Sequence, residues 1–235
     1  MIIVTTAERK LSELALARGA AWVGFADLTQ LPAEPRRSMP TAVSLAAVLD
    51  ARIAASIYKG PSEAYVWEYE RLNEQLAYLS VVVADALRTW GFEAIPLPPT
   101  GMDFDPQTLS TALPHKTVAT RAGMGWIGKN ALLITEQYGS AVRLGTVLTD
   151  AELDTGAPVD HSRCGECMRC VRACPAEAPK GRNWTVALSR DDLVDVHACS
   201  AFAEDLSEKL GSAHTVCGMC IAACPWTPKY VKGEA

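Results

Sequence analysis

Eight cysteines are the residues of this sequence whose type and spacing carry the clearest chemistry. All of them lie between Cys164 and Cys224, and residues 1–163 contain none. The first four form the run Cys164-Gly-Glu-Cys167-Met-Arg-Cys170-Val-Arg-Ala-Cys174-Pro. This C-x2-C-x2-C-x3-C-P spacing is the one with which thiolates hold a four-iron, four-sulfur cluster. The segment is therefore predicted to bind clusters of this type.

A second motif, Cys217-Gly-Met-Cys220-Ile-Ala-Ala-Cys224-Pro, is one cysteine short of the same pattern, and Cys199 supplies the missing thiolate. In two-cluster ferredoxins the cysteine before proline ligates the other cluster. Each motif is thus expected to lend its last cysteine to its neighbour. The predicted ligand sets are Cys164, Cys167, Cys170 and Cys224 for one cluster, and Cys174, Cys199, Cys217 and Cys220 for the other.

Two structural zinc sites are the alternative, because eight cysteines also provide two sets of four thiolates. Zinc would leave the third cysteine of the first motif and both Cys-Pro endings unexplained, so the spacing favours iron and sulfide. His161, His197 and His214 flank the motifs and are interpreted as surface residues or residues behind the ligands. Because oxidants damage such clusters, a reducing, cytoplasmic location is expected.

Composition limits what the rest of the chain can be. The 235 residues are 49% hydrophobic, which suits a globular protein with a real core. The formal net charge of −5 argues against a surface that holds nucleic acid by bulk attraction. No apolar run is long enough to cross a bilayer, and the first ten residues do not resemble a secretory signal. A membrane partner is therefore not expected.

Apolar periodicity predicts the elements that must position the cysteines. A long amphipathic helix should begin near Gly60 and end at Trp90, with its apolar face repeating every three or four residues. Because predicted strands and helices alternate, we expect an α/β or α+β core over residues 1–155, followed by a ferredoxin-like domain over 156–235. The other predicted helices cover 6–18 and 114–122, with strands at 21–26, 41–48, 92–95, 131–135 and 142–148 and a loop at 96–106.

The most unusual stretch outside the cysteines is Arg121-Ala-Gly-Met-Gly-Trp-Ile-Gly-Lys-Asn-Ala-Leu-Leu-Ile134. Its three glycines would let the backbone approach a ligand closely. Their G-x-G-x-x-G spacing is that of a dinucleotide-binding turn, but here it follows a predicted helix and precedes a strand, which is the wrong order. A tight structural turn is the alternative interpretation.

This stretch, followed by Gly139-Ser140, Leu144-Gly145 and the two cysteine motifs in this order, resembles the epoxyqueuosine reductase family over about residues 110–227. That family is related to the reductive dehalogenases. The resemblance implies a nitroreductase-like α/β core that holds base-off cobalamin, to which the clusters pass electrons. It also implies that the corrinoid pocket is lined by Gly123, Gly125, Trp126, Ile127, Gly128, Lys129 and Asn130.

Two departures from the family bear on the substrate. The aspartate that the family is thought to use as proton donor falls on Leu109 here, and leucine cannot donate a proton. The family usually continues into a helical-repeat domain that helps to hold transfer RNA, whereas this sequence ends at Ala235. We therefore expect a small-molecule substrate rather than tRNA.

A reductase of this kind still needs a proton donor. The candidates in this sequence are His115, which titrates near neutrality, and Lys116, Asp103, Asp105 and Tyr58.

The leading hypothesis is thus a cobalamin-dependent reductase that receives electrons from an external donor such as a ferredoxin or flavodoxin. Three alternatives stay open. The chain could be an electron-transfer or corrinoid-activating partner of another protein, a minimal epoxyqueuosine reductase, or a flavin-binding reductase. The sequence does not predict the oligomeric state.

Overall fold

Eight α-helices and six β-strands make up the part of the chain that the computed structural model describes, residues 6–99 and 104–233. The mixed α/β architecture predicted from the sequence is confirmed. The helices are α1 (Ala7–Leu16), α2 (Ala51–Ser56), α3 (Glu63–Thr89), α4 (His115–Arg121), α5 (Arg169–Arg172), α6 (Val196–Lys209), α7 (Met219–Ala223) and α8 (Trp226–Lys232), with a short 3-10 helix at Ile57–Lys59. The strands are β1 (Trp22–Asp27), β2 (Thr41–Val48), β3 (Ala94–Leu97), β4 (Trp126–Ile127), β5 (Leu133–Ile134) and β6 (Val142–Thr149).

Four strands form one sheet in the order β1-β2-β6-β3. Strands β1 and β2 are antiparallel, with Trp22 opposite Ala46, and β3 and β6 are antiparallel, with Ala94 opposite Thr149. All residues of β2 except the last are buried, as expected for an apolar run at the centre of a sheet. Helices α1 and α4 both pack against β1.

Helix α3 confirms the predicted amphipathic helix. Its apolar positions recur at spacings of three and four residues, so they share one face, and that face is buried. The helix ends before Gly91, whose φ of +92° lies in the left-handed region that glycine adopts without strain. The buried residues of this face include Leu72, Leu76, Leu79, Val83 and Leu87.

The structure differs from the sequence prediction at β3 and in the segment after β2. Strand β3 continues through Pro96 to Leu97, where a loop was expected. Strand β3 lies at the edge of the sheet and pairs only with β6. An edge strand can accommodate proline, which has no backbone N–H to donate to a second neighbouring strand. The chain also forms α2 and the 3-10 helix directly after β2, and the start of α2 is capped by Asp50, whose side chain accepts from Arg52 N and Ile53 N.

The described chain divides into two compact units that are not continuous in sequence, whereas the predicted domains, residues 1–155 and 156–235, follow chain order. The cysteine unit takes in two earlier segments because they bond within it: Leu49 N donates to Ala141 O, and Tyr230 Oη donates to Leu49 O. The sheet unit comprises the residues up to Ala47, Leu72–Met124 and Arg143–Val159, and the cysteine unit comprises Val48–Arg71, Gly125–Val142 and the residues from Asp160 onward. Within the described ranges, no helix has the length and apolarity needed to cross a membrane.

The buried face of α3 should carry a large share of the stability of the sheet unit. Replacing Leu76, which is 0% exposed, by alanine is expected to lower the free energy of unfolding by ~2–5 kcal/mol, because a cavity remains where the side chain was. Tyr78→Ala is the matched control on the same helix, since that side chain is 55% exposed. Anaerobic urea unfolding followed by circular dichroism measures both, and equal losses would contradict the assignment of the buried face.

Candidate functional site

Four cysteines line one cavity of about 140 Å³ in the cysteine unit. Cys164, Cys167 and Cys170 come from the first motif, and Cys224 comes from the second. These are the four residues that the sequence analysis assigned to one cluster. The rest of the lining consists of Lys129, Asn130, Ile134, Pro225 and Trp226.

The other four cysteines form a second group. Cys199 is exposed as a residue, but partial desolvation of its sulfur raises the pKa of the thiol, and the neighbouring sulfurs of Cys174 and Cys217 raise it further. The pKa of the Cys220 thiol is raised in the same way, by burial first and then by the sulfurs of Cys217, Cys199, Cys170 and Cys174. Since such repulsion requires proximity, these cysteines lie together, and Cys220 also lies near Cys170 of the first group.

The local sequence explains how the second motif turns its cysteines. Gly218 precedes α7 with a φ of +83°, and a Cβ atom there would come 2.7 Å from Ile57 Cδ1, so glycine is required. At the other end of α7, Cys224 has left the helical region, with φ −64° and ψ 125°. The following Pro225 disfavours helical backbone at the residue before it. The Cys-Pro pair therefore ends the helix at the point where Cys224 reaches the first cavity.

The donor set of the first cavity fits a thiolate-bound iron–sulfur cluster. Burial, followed by the neighbouring sulfurs of Cys164, Cys224 and Cys167, raises the pKa of Cys170 to about 11. Several thiolates packed this closely repel one another and are stable only with cations between them, which iron supplies. Burial likewise raises the pKa of Cys224.

A buried positive charge adjoins the same cavity. Lys129 is only 4% exposed, and its Nζ donates to Met168 Sδ at 3.4 Å. A buried ammonium group is costly unless negative charge compensates it. A cluster ligated by four thiolates carries net negative charge, so Lys129 and such a cluster would stabilise each other.

The glycine-rich stretch forms a β-hairpin, in which Trp126 of β4 pairs with Ile134 of β5. A Cβ atom at Gly125 would overlap the carbonyl oxygen of Ile134, and one at Gly128 would come 2.6 Å from Asn130 Oδ1. The close approach that these two glycines permit is therefore to the chain itself. At the tip of the hairpin, Lys129 and Asn130 line the first cavity, and Asn130 Nδ2 donates to Cys220 O at 3.5 Å.

The remaining residues of the predicted corrinoid pocket have different surroundings. Trp126 and Ile127 are buried, and the Trp126 ring meets Trp226 edge-on with ring centroids 5.4 Å apart. The Trp126 Nε1 atom is buried and has no hydrogen-bond partner among the described residues. Gly123 lies in the sheet unit, where a Cβ atom would come 2.7 Å from Ala157 O.

His115, the first candidate for the catalytic acid, uses both ring nitrogens within the sheet unit. Nε2 lies 2.9 Å from Pro98 O, which can only accept, so Nε2 carries the proton. Nδ1 then accepts from the Thr146 hydroxyl at 2.8 Å. Burial lowers the pKa of His115, and the nearby Arg143 lowers it further. The neutral ring is thus held by two hydrogen bonds.

The other candidate acids that the structure describes lie on different elements. Asp105 is exposed in a turn, where Gln107 N and Thr108 Oγ1 donate to its carboxylate and lower its pKa. Tyr58 is exposed in the cysteine unit, with Lys59 Nζ 5.4 Å from its ring centroid. Lys116 follows His115 on α4 and is half-buried, and Asp103 lies outside the described residues. A catalytic role for any of these residues stays a prediction.

Sequence analysis missed Ser140 and Thr227 as residues of the site. Both are buried, and Ser140 N donates to Thr227 Oγ1 at 3.3 Å. Their only sequence signal was the place of Gly139-Ser140 in the resemblance, which gave Ser140 no chemical role.

The two groups of thiols are the two ligand sets that a pair of iron–sulfur clusters needs. Residues 163–227 match the family described as the 4Fe-4S double cluster binding domain. This match confirms the predicted double-cluster segment at the C-terminal end.

Curated relatives extend the resemblance. The chain is 38% identical over 122 residues to an epoxyqueuosine reductase of Gloeobacter violaceus, covering 48% of this chain and 35% of that protein. It is 36% identical over 132 residues to an epoxyqueuosine reductase of a Synechococcus species, covering 54% of this chain and 38% of that protein. The predicted resemblance to this family is therefore confirmed. The chain matches only about a third of the length of these relatives.

Solved structures share the fold. A reductive dehalogenase, whose structure was described as suggesting a mechanism for B12-dependent dehalogenation, has a TM-score of 0.70 at 17% identity, covering 97% of this chain and 33% of that one. An epoxyqueuosine reductase with an epoxyqueuosine-modified tRNA-Tyr stem loop has a TM-score of 0.62 at 20% identity, covering 93% of this chain and 64% of that one. At these identities the likeness concerns the fold alone.

The half-buried, neutral His115 predicts a loss of stability in acid. Because its pKa is lowered in the folded protein, the unfolded chain takes up the proton first, so the free energy of unfolding should fall as the pH drops below about 6.5. His115→Gln should flatten this dependence between pH 8 and pH 5, measured by anaerobic urea unfolding. His197→Gln, which alters an exposed histidine, is the control and should keep the slope of the unaltered protein. An unchanged slope in His115→Gln would contradict the prediction.

Proposed function

We propose that this protein is an oxidoreductase resembling the epoxyqueuosine reductases, in which two [4Fe–4S] clusters pass electrons from an external donor to a bound cobalamin. One observation carries the proposal: the tip of the glycine-rich hairpin, Lys129 and Asn130, lines the same cavity as four cysteines. The segment that the resemblance assigns to the corrinoid is therefore also part of the cluster site. An electron acceptor held by this hairpin would lie within reach of the first cluster.

In this proposal the first cluster is held by the cysteines around the 140 Å³ cavity and the second by the remaining group. The Cys-Pro residue of each motif, Cys174 or Cys224, ligates the cluster of the other motif, which brings the clusters close together. The proximity of Cys170 and Cys220 supports this arrangement, because these two residues belong to different sets. Short separations between clusters favour electron exchange. Clusters of this kind also support the predicted reducing, cytoplasmic location.

Cobalamin is proposed on the resemblance and on one orphaned polar atom. The Trp126 Nε1 donor is buried without a partner among the described residues, which is costly unless a bound group accepts from it. A corrinoid carries amide side chains that can accept such a bond. When bound, cobalamin supplies a cobalt centre that can be reduced to a strongly nucleophilic state. This chain would contribute the shape of the hairpin, the donor of Trp126 and the positive charge of Lys129.

Metal content and one substitution test the ligand sets. Anaerobically prepared protein should contain about eight irons and eight sulfides per chain, as two cubane clusters require. Cys224→Ala should damage the cluster of the first motif, because Cys224 lines the cavity of that motif although it belongs to the second motif in sequence. Electron paramagnetic resonance with iron and sulfide analysis measures the loss. Cys224→Ala protein that retains a complete first cluster, or wild-type protein with two zincs and no sulfide, would disprove the assignment.

The substrate class has two candidates. Epoxyqueuosine in tRNA is the first, because one of the structures that share this fold holds an epoxyqueuosine-modified tRNA stem loop. A small molecule is the second, and the observation that favours it is Leu109 at the position of the family's proposed acid. Leu109 lies in the turn between Asp105 and Ser110, with a φ of +50°.

An assay with both cofactors loaded separates these candidates. If no neighbouring residue supplies the acid that Leu109 lacks, turnover of epoxyqueuosine-tRNA should be slow. Leu109→Asp should then raise the turnover rate by roughly 10²–10⁴-fold, the usual contribution of a positioned acid. Mass spectrometry of the digested tRNA measures conversion. Leu109→Asn is the matched control, because it has the shape of aspartate without its proton. Fast turnover by the unaltered chain would rule out the small-substrate candidate.

A separate experiment decides the cofactor. Cobalamin or flavin is added to the protein, and the absorption spectrum shows which of the two cofactors binds.

A further inference from the structure

A short turn fixes Ser140 against the start of α8. Thr135 N donates to Gly139 O at 2.8 Å, and Gly139 N donates back to Thr135 O at 3.1 Å. Gly139 has a φ of +59°, and a Cβ atom there would come 2.6 Å from Thr227 Oγ1, so only glycine fits. Ser140 N then donates to the same Thr227 oxygen at 3.3 Å. The backbone of Ser140 thus has little freedom to move.

Thr227 in turn connects this turn to a cysteine of the first cavity. Its backbone N donates to Cys224 O at 3.0 Å, and its side chain is buried. Ser140 and Cys224 are therefore held to the same residue by hydrogen bonds of 3.3 and 3.0 Å. The Ser140 side chain therefore extends from a backbone that is fixed relative to that of Cys224.

The hydroxyl itself lacks an ordinary partner. Ser140 is 2% exposed, and its Oγ has no hydrogen-bond partner among the described residues. A buried hydroxyl without a partner is unfavourable, because it has lost its hydrogen bonds to water. The Cys224 side chain is the neighbouring group: burial, the largest effect, raises the pKa of that thiol, and the Ser140 hydroxyl lowers it in part. The hydroxyl is thus placed to favour negative charge on the Cys224 sulfur.

We propose that the Ser140 hydroxyl donates a hydrogen bond to the Cys224 sulfur when Cys224 ligates the first cluster, and that this bond raises the reduction potential of that cluster. Reduction adds negative charge, which spreads onto the ligand sulfurs and strengthens a bond donated to them. The reduced cluster therefore gains more from the hydroxyl than the oxidised cluster does. Ser140 is a positioning and tuning residue, which touches a ligand of the cluster and no substrate.

This inference rests on the proposed assignment of Cys224 to the first cluster. It adds to that proposal a residue that sets the energy at which the first cluster accepts an electron. Lys129 supplies a fixed positive charge on the hairpin side of the same cavity, whereas Ser140 acts through one ligand sulfur. The two effects are separable, because truncating Ser140 leaves the charge of the site unchanged.

The test is an anaerobic redox titration of the cluster-loaded protein, followed by electron paramagnetic resonance. In Ser140→Ala, reduction of the first cluster should become about tenfold less favourable, which is about 59 mV for a one-electron couple. The potential of the second cluster and the iron content should not change. Cys224→Ala protein should lack the signal of the first cluster, so the midpoint potential that disappears in this variant is assigned to that cluster. Ser140→Thr keeps the hydroxyl and should restore the original potential.

Ser44→Ala is the matched control, because Ser44 is also buried with a hydroxyl that has no partner among the described residues, but lies on β2 of the sheet unit. It should leave both potentials unchanged. Ser140→Ala protein with full iron and two unshifted potentials would overturn the inference while leaving the proposed function intact. If Cys224→Ala retains a complete first cluster, the ligand assignment itself is wrong.

Double-resonance spectra in D2O provide a second measurement. An exchangeable proton coupled to the reduced first cluster should be present in the wild type and absent in Ser140→Ala. Identical spectra of the two proteins would also overturn the inference.

Discussion

The convergence of four thiols from two distant motifs on one cavity is the constraint on which the cysteine unit depends. Cys224 reaches the sulfurs of the first motif because Pro225 ends α7 at that residue, so the last ligand leaves the helix where the cavity begins. Burial and mutual repulsion make these thiolates unfavourable by themselves, as the raised pKa of Cys170 shows. In the proposed two-cluster protein, cluster assembly and folding of this unit are therefore coupled.

The surroundings of the first cavity share one electrostatic tendency. Lys129 brings a buried positive charge, Asn130 donates to the backbone of the second motif, and Ser140 is proposed to donate its hydroxyl to a ligand sulfur. The ammonium group of Lys129 and the hydroxyl of Ser140 would both favour negative charge at the cavity, whereas Asn130 connects the hairpin to the second motif. A cluster in this environment would be easier to reduce than one in a purely apolar pocket, which suits the proposed relay from a donor through the clusters to a corrinoid.

Elements with a strong local pattern were predictable, and elements made by long-range contacts were not. Helix α3 and strand β2 follow from apolar periodicity and an apolar run, and both formed where expected. The hairpin of β4 and β5 was interpreted as a turn before a single strand, because each of its strands has only two residues. What stabilises that hairpin is the absence of a side chain at Gly125 opposite Ile134, which no periodicity can reveal.

The sequence by itself determined the two-cluster chemistry, since ligand spacing along a chain is a local property that the cysteine motifs state directly. It also determined the resemblance to the epoxyqueuosine reductases. Only the tertiary structure decided that His115 is tied to Thr146 and Pro98, that the hairpin glycines pack against their own chain, and that Ser140 lies beside Cys224. The reason is physical: these contacts join residues far apart in sequence, so their chemistry depends on which side chains the folded core brings within hydrogen-bonding distance.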